Sequence, residues 1–145
     1  MEKIAVILMG NLLRRDDALG ITLKERIRGD VDLIDGGTKA LSLIEVISMY
    51  DKVIFVDAVD FGGSPGDIEV FKLENLDNEI LFSTHSPDIK KMVELSRMLY
   101  ERPKKAIIIG IQPHDLSYGM DLSSEVISKL DVISEKIVEI LEVMV

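Results

Sequence analysis

Cysteine is absent from this chain of 145 residues. Without a thiol, the chain can form no disulfide bond, no zinc site built from thiolates and no cysteine nucleophile. The absence is also fully compatible with the reducing conditions of the cytoplasm.

Positive charge is scarce as well. The sequence has 17 Lys and Arg residues against 26 Asp and Glu residues, which gives a formal net charge of -9. Such a chain repels the phosphate backbone of nucleic acids and the surface of anionic membranes. We therefore predict that no nucleic acid is a partner of this protein.

Long apolar runs are missing too. The longest runs, such as residues 4–9, are far shorter than the roughly 20 residues that a membrane-spanning helix needs. The first residues, Met-Glu-Lys followed by a strand pattern, lack the layout of a signal peptide. These observations predict a soluble protein of the cytoplasm that does not insert into membranes.

Several common catalytic signatures do not occur. The chain contains no Walker lysine pattern, no Gly-x-Ser-x-Gly elbow and no His-Glu-x-x-His helix. The glycine-rich loop at 62–66 resembles an anion-binding nest only superficially, because it leads into a strand rather than a helix. Any chemistry must therefore come from residues outside these signatures.

Apolar runs rich in β-branched residues alternate with helical patterns. The runs lie at 3–9, 31–34, 52–56 and 106–111. The helical patterns cover 17–28, 39–50, 89–100 and 123–143. Runs of this kind suit strands that are buried on both faces of a parallel sheet. The alternation predicts a three-layer α/β/α sandwich, and the length predicts a single domain over 1–145.

One segment interrupts this alternation. Residues 68–73 have a period of two and follow the third strand after only a short glycine-rich turn. Because no helix fits into that turn, we predict an antiparallel strand at the edge of the sheet. The predicted sheet is thus mostly parallel and twisted, with about five strands.

Acidic and imidazole side chains follow three strand-like runs. Asp17 and Asp57 come after the first and third runs, and His85 comes after a further run at 79–83. Open α/β sheets place their ligand crevice at the carboxyl ends of the strands, where distant side chains converge. Two carboxylates and one imidazole in such a crevice would form a metal site with positions left for a substrate.

Each of these side chains also has a structural interpretation. Asp16 and Asp17 are suited to the cap and the first turn of a helix. Asp57 can be an acid that accepts hydrogen bonds at a strand end. His85 can be a loop histidine bonded to the backbone, which is also our interpretation of His114. The residues alone leave both interpretations open.

Short motifs at the strand ends form an ordered set. They are Gly10-Asn11, Asp16-Asp17-x-x-Gly20, Asp35-Gly36-Gly37-Thr38, Val56-Asp57-Ala58, Pro65-Gly66, Ser83-Thr84-His85, Gly110-Ile111-Gln112-Pro113, Gly119 and Leu122-Ser123. In order and spacing, this set resembles the hydrogenase maturation protease family over nearly the whole chain. The resemblance implies an endopeptidase that trims the C-terminal extension of a nickel-iron hydrogenase large-subunit precursor after nickel insertion. Archaeal members of the family include those that serve F420-reducing hydrogenases.

The resemblance also implies roles for individual residues. Asp17, Asp57 and His85 would contact nickel, which the precursor contributes and which zinc or cadmium could replace. Asp16 or Asp17 would be the general base. The implied substrate-binding residues are Gly10, Asn11, Asp35, Gly36, Gly37 and Thr38.

Two positions depart from the usual family pattern. Leu8 stands where a glycine is usual, and Asp17 stands where glutamate is common. The first departure bears on the shape of the first loop. The second shortens a metal ligand by one methylene and keeps its charge.

Two other functions fit parts of the pattern. A receiver-like domain would use Asp57 as a phosphoacceptor beside paired acids, although its acids would follow the first strand directly. A non-catalytic module would grip the nickel-loaded precursor as a checkpoint without cutting it. The residues do not distinguish such a module from a protease, because the family shows no conventional nucleophile.

Overall fold

A five-stranded sheet organises residues 2–37, 40–74 and 85–144, which the computed structural model describes. Its strands are β1 (Ile4–Met9), β2 (Asp32–Gly37), β3 (Lys52–Ala58), β4 (Ile68–Lys72) and β5 (Lys105–Ile111). Their spatial order is β2-β1-β3-β5-β4. The four strands other than β4 pair in parallel, and β4 is antiparallel to β5 at one edge. The predicted mixed sheet with one antiparallel edge strand is confirmed.

The parallel pairing brings the ends of four strands to one edge. Leu8 of β1 lies opposite Asp35 of β2 and Val56 of β3, and Asp57 lies opposite Gly110 of β5. The loops that follow β1, β2, β3 and β5 therefore all start at the same edge. The strand-like run at 79–83 lies outside the described residues.

Among residues 2–37, 40–74 and 85–144, five α-helices accompany the sheet. They are α1 (Leu19–Thr22), α2 (Ile44–Ile47), α3 (Ser86–Tyr100), α4 (Ser124–Ile127) and α5 (Leu130–Met144). Short 3-10 segments at Arg15–Ala18 and Ala40–Leu43 precede α1 and α2. Within the described part of the chain, no helix has the length and apolar composition needed to cross a membrane.

The predicted lengths of three helices are wrong. The α-helical parts of 17–28 and 39–50 are only about one turn long. Hydrogen bonds from residue i to i−3 replace the regular helical bonds, as in the bond from Arg26 N to the Leu23 carbonyl at 2.9 Å.

The predicted helix at 123–143 is two helices. Ser128 ends α4, and its hydroxyl donates to the Glu125 carbonyl at 2.9 Å, which satisfies a carbonyl of the last turn.

Two apolar clusters cover the two faces of the sheet. Alternate residues of β1 point to opposite faces, so Ile7 packs with Ile47 of α2 and Ile89 of α3, while Leu8 packs with Leu19 of α1 and Ile137 of α5. Helices thus lie on both sides of a central sheet whose middle strands are buried. This arrangement confirms the predicted three-layer sandwich.

Candidate metal centre

Asp17, Asp57 and His85 converge at the carboxyl edge of the sheet. Asp17 belongs to the 3-10 segment after β1, and Asp57 is the second-last residue of β3. His85 directly precedes α3. One ligand atom from each lies within 4.8 Å of the other two. Across residues 2–37, 40–74 and 85–144, no other group of three acidic or imidazole side chains is placed to hold a metal ion.

The side chains of this cluster are buried. Asp17 and Asp57 are 1% and 0% exposed, and His85 is 6% exposed. His85 Nε2 lies 3.1 Å from Asp17 Oδ2 and 4.0 Å from Asp57 Oδ1, which also accepts a hydrogen bond from Ala58 N at 2.9 Å. The other oxygen of Asp17, Oδ1, has no hydrogen-bond partner among the described residues.

An unpartnered carboxylate oxygen in a buried position is costly, because the lost hydration is not replaced. A cation bound beside Asp17 would supply the missing interaction. Two carboxylates and one imidazole suit nickel, and they also accept zinc. The residues present therefore fit a divalent metal ion with positions left for further ligands.

The surroundings of His85 change the pKa of its imidazole. Burial of the ring lowers its pKa, but the hydrogen bond to Asp17 and the charges of Asp57, Asp17 and Asp88 raise it, and the net result is a raised pKa. Asp88 contributes because it lies in the first turn of α3, close to the ring. When the ring is protonated, its positive charge partly balances the negative charge of the two buried carboxylates.

Two glycines allow Asp17 to lie near β3. A Cβ atom on Gly20 would lie 2.2 Å from the Met9 carbonyl oxygen and 2.4 Å from the Val56 carbonyl oxygen. A Cβ atom on Gly10 would lie 2.6 Å from the Asp17 carbonyl oxygen. Only glycine permits these approaches, which bring the start of α1 against the ends of β1 and β3.

Asp16 faces a different part of the molecule. It is completely buried and accepts four hydrogen bonds, from His114 N, Asp115 N, Ser123 N and the Ser123 hydroxyl, at 2.7 to 2.8 Å. The cap position of its segment is Arg14, which makes no side-chain cap hydrogen bond. The interpretation of Asp16 as a helix cap is therefore wrong, since its donors come from a distant loop.

Arg15 further joins the first loop to residues 113–123. Its backbone φ is 43°, an uncommon conformation for a residue with a side chain. Arg15 N donates to the Gly119 carbonyl at 3.0 Å, and its guanidinium contacts Asp115 at 2.7 Å. Hydrogen bonds from Ser117, together with Arg15, lower the pKa of Asp115.

The loops predicted to bind substrate also meet at this edge. Gly10 N donates to the Gly37 carbonyl at 2.9 Å, which joins the ends of β1 and β2. Asn11 Oδ1 accepts from Leu13 N at 2.9 Å and shapes the first loop, and Asp35 is exposed. Gly36 is buried against Ile7 and Met9. Thr38 lies outside the described residues.

Two residues have roles that the sequence did not reveal. Ser123 supplies two of the four donors to Asp16, and Gln112 Oε1 accepts from Phe61 N and Gly63 N, which fixes the loop after β3. Both residues belong to the ordered motifs, so the sequence indicated that their positions matter. It did not indicate their hydrogen-bond partners, because the bonds join residues about 50 to 107 positions apart.

Comparisons with known proteins indicate the family of this chain. A family model described as hydrogenase maturation protease, HycI, matches residues 19–140, so Asp57 and His85 lie inside the match and Asp17 lies two positions before its first residue. Protein HydD of Wolinella succinogenes is 36% identical over 113 residues, which are 74% of this chain and 70% of that protein.

Further relatives show the same likeness. The hydrogenase expression/formation protein HupD of Thiocapsa roseopersicina is 28% identical over 134 residues, which are 86% of this chain and 61% of that protein. This chain thus spans less than two thirds of that relative. The solved structure of the hydrogenase maturating endopeptidase HybD from E. coli shares the fold, with a TM-score of 0.81, 24% identity, and coverage of 97% of this chain and 92% of that one. With a family model matched over most of its length, the chain belongs to the hydrogenase maturation protease family.

Proposed function

We propose that this chain is a cytoplasmic endopeptidase that removes the C-terminal extension of a nickel-iron hydrogenase large-subunit precursor after nickel insertion. Membership of the family supports the peptidase activity and the class of substrate. The observation that carries the proposal is the buried cluster of Asp17, Asp57 and His85, in which one oxygen of Asp17 has no hydrogen-bond partner in the part of the chain that the structure describes. This membership leaves the receiver-like alternative without support.

Nickel belongs to the substrate in this proposal. The described residues offer three ligand groups, which are too few to fill the coordination sphere of a transition metal, so the precursor supplies the remaining ligands together with the metal. A precursor without nickel would leave the two buried carboxylates without their cation. Binding of the cluster to nickel would then report that the precursor is loaded.

Asp17 is the better candidate for the general base. Its Oδ1 accepts no hydrogen bond from residues 2–37, 40–74 and 85–144, whereas both oxygens of Asp16 already accept hydrogen bonds from the loop at 113–123. When present, nickel can polarise the scissile carbonyl. Asp17 would accept a proton from the attacking water and would also contact the substrate metal together with Asp57 and His85.

The precursor segment would lie along the loops beside the cluster. We propose that Gly10, Asn11, Asp35, Gly36, Gly37 and Thr38 contact its backbone. Next to them, large apolar side chains are exposed, namely Leu12 at 56%, Leu13 at 59%, Tyr118 at 86% and Met120 at 79%. Leu13 O accepts from Gly119 N at 2.9 Å, so the two loops that carry these side chains are neighbours. Apolar side chains on a fixed surface favour contact with another polypeptide.

The test compares two forms of one precursor. Purified protein is mixed with nickel-loaded and with nickel-free large-subunit precursor, and the shortened product is followed by mass spectrometry. We expect cleavage of the loaded form only, and equal cleavage of both forms would contradict nickel sensing. Binding of the loaded form without any product would instead indicate the non-catalytic checkpoint.

A variant makes this test specific to the site. His85→Ala should abolish processing, because it removes one of three metal ligands. His114→Ala is the matched control, since His114 is the other histidine of the chain and is half-exposed. Full activity of the His85 variant would remove that residue from the site.

A further inference from the structure

We propose that Asp16 is a positioning residue, which clasps the loop at 113–123 onto the first loop and thereby fixes its neighbour Asp17 in the metal cluster. The inference deepens the proposed function and rests on it for the effect on cleavage. Its geometric part depends only on contacts within the chain. Asp16 and Asp17 are adjacent acids that are both buried, yet their side chains contact different parts of the molecule.

The contacts of Asp16 form a complete acceptor site. Oδ1 accepts from Ser123 N at 2.8 Å, and Oδ2 accepts from the Ser123 hydroxyl at 2.7 Å and from His114 N and Asp115 N at 2.8 Å. Asp16 N donates in turn to the Asp115 carbonyl at 3.0 Å. Hydrogen bonds to a carboxylate are stronger than those between neutral groups. A single side chain therefore joins segments about 100 residues apart in sequence.

The clasp determines where Asp17 lies because the backbone between the two acids is tightly held. Asp17 N donates to the Arg14 carbonyl at 2.9 Å, and the Asp17 carbonyl accepts from Asn11 N at 3.2 Å. The segment has a left-handed residue at Arg15, a conformation that persists only where its surroundings hold it. Loss of the Asp16 contacts would release this turn, and with it the orientation of the Asp17 carboxylate.

The alternative role for Asp16, as the general base, predicts different behaviour. A base must reach the attacking water, so its loss would stop cleavage without changing metal binding. A positioning residue acts through Asp17, so its loss would change metal binding even when no precursor is present. Outer contacts of this kind usually change metal affinity by about 10- to 100-fold.

The experiment measures Co²⁺ binding to the full chain without precursor. Affinity is measured by calorimetry, and the visible absorption of bound Co²⁺ reports its ligand geometry. We expect Asp16→Asn to weaken Co²⁺ binding at least about 10-fold and to alter the spectrum, because the amide NH₂ would face backbone donors. Unchanged affinity and spectrum in a folded Asp16→Asn protein would overturn the inference.

A second variant decides the question if Asp16→Asn does not fold. Ser123→Ala removes only one of the four donors, the hydroxyl, and should weaken Co²⁺ binding several-fold in the same direction. Ser134→Ala is the control, because Ser134 is a buried serine of α5 whose hydroxyl donates to the Leu130 carbonyl. Equal affinities of the two serine variants would overturn the inference.

Failure of this inference and failure of the proposed function can be distinguished by experiment. A wild-type chain that binds Co²⁺ but never shortens the precursor would contradict the proposed endopeptidase and leave the clasp standing. Active cleavage with no dependence of metal binding on Asp16 or Ser123 would contradict the clasp alone. A wild-type chain that binds no Co²⁺ would overturn the clasp as a device for metal positioning.

Discussion

His85 Nε2 lies 3.1 Å from Asp17 Oδ2, although the two residues are 68 positions apart in the sequence. The contact joins the turn after β1 to the start of α3. It lies at the edge of the sheet where β3 ends and where Asp57 is located. It uses one oxygen of Asp17 and leaves the other without a hydrogen-bond partner among the described residues. The hydrogen bonds of the cluster are thus incomplete, and a bound cation would complete its interactions.

Replacement of Asp57 by asparagine should remove metal binding while the fold is kept. The amide oxygen can still accept the hydrogen bond from Ala58 N, but the negative charge is lost. We expect the affinity for Cd²⁺ or Ni²⁺ to fall by more than roughly 100-fold. That is the largest usual effect of replacing a residue that contacts a metal ligand rather than the metal itself. Calorimetric titration checks this result. Asp60→Asn is the control, because Asp60 is an exposed loop acid three positions along the chain.

The stability of the metal-free protein should depend on pH through His85. The folded-state pKa of His85 is raised, so the protonated ring stabilises the fold at pH values below its unfolded pKa. That contribution is lost as the pH rises through the raised folded pKa. His85→Gln should therefore lower the free energy of unfolding more at acidic than at alkaline pH.

Urea unfolding of the wild-type and variant proteins over this pH range measures the effect. His114→Gln serves as the control, because the ion pair of His114 with Glu125 is exposed and such pairs contribute little. A stability difference between wild type and His85→Gln that does not change with pH would contradict the role of the ring charge.

A methyl group at Gly20 should disturb both the fold and the metal site. The added Cβ would overlap the carbonyl oxygens of Met9 and Val56 and push α1 away from the sheet. We expect Gly20→Ala to cost about 1–3 kcal/mol of stability and to weaken metal binding. Gly62→Ala has no atom within 4 Å of its added Cβ and should cost only roughly 1–2 kcal/mol for its left-handed backbone. Metal binding by the Gly62 variant should be unchanged.

The exposed apolar side chains beside the cluster should contribute to recognition of the precursor. Met120→Ser should raise the KM for precursor processing by about 5-fold or more, because the methionine loses its apolar contact with the bound segment. Metal binding without precursor should stay the same. Met98→Ser is a matched control, since Met98 is equally exposed at 79% but lies near the far end of α3. Equal KM values for both variants would contradict this surface.

The architecture followed from patterns that are local in the sequence. Buried runs such as 52–56 marked strands, and the short turn before residue 68 required an antiparallel strand, which the structure has. The same reasoning failed for the helix at 17–28. Leu19, Leu23 and Ile27 are buried as their spacing predicts, but turns rather than a long helix bury them. Periodicity indicates which side chains are buried and does not determine the hydrogen bonds that hold them.

The sequence by itself predicted that two carboxylates and an imidazole meet at one edge of the sheet, because the ends of parallel strands share one edge. The tertiary structure determined that the two adjacent acids, Asp16 and Asp17, have different partners. Asp17 contacts His85, and Asp16 is held by Ser123, His114 and Asp115. No local pattern separates these acids, because their partners are 68 to 107 positions away and meet only when the chain folds.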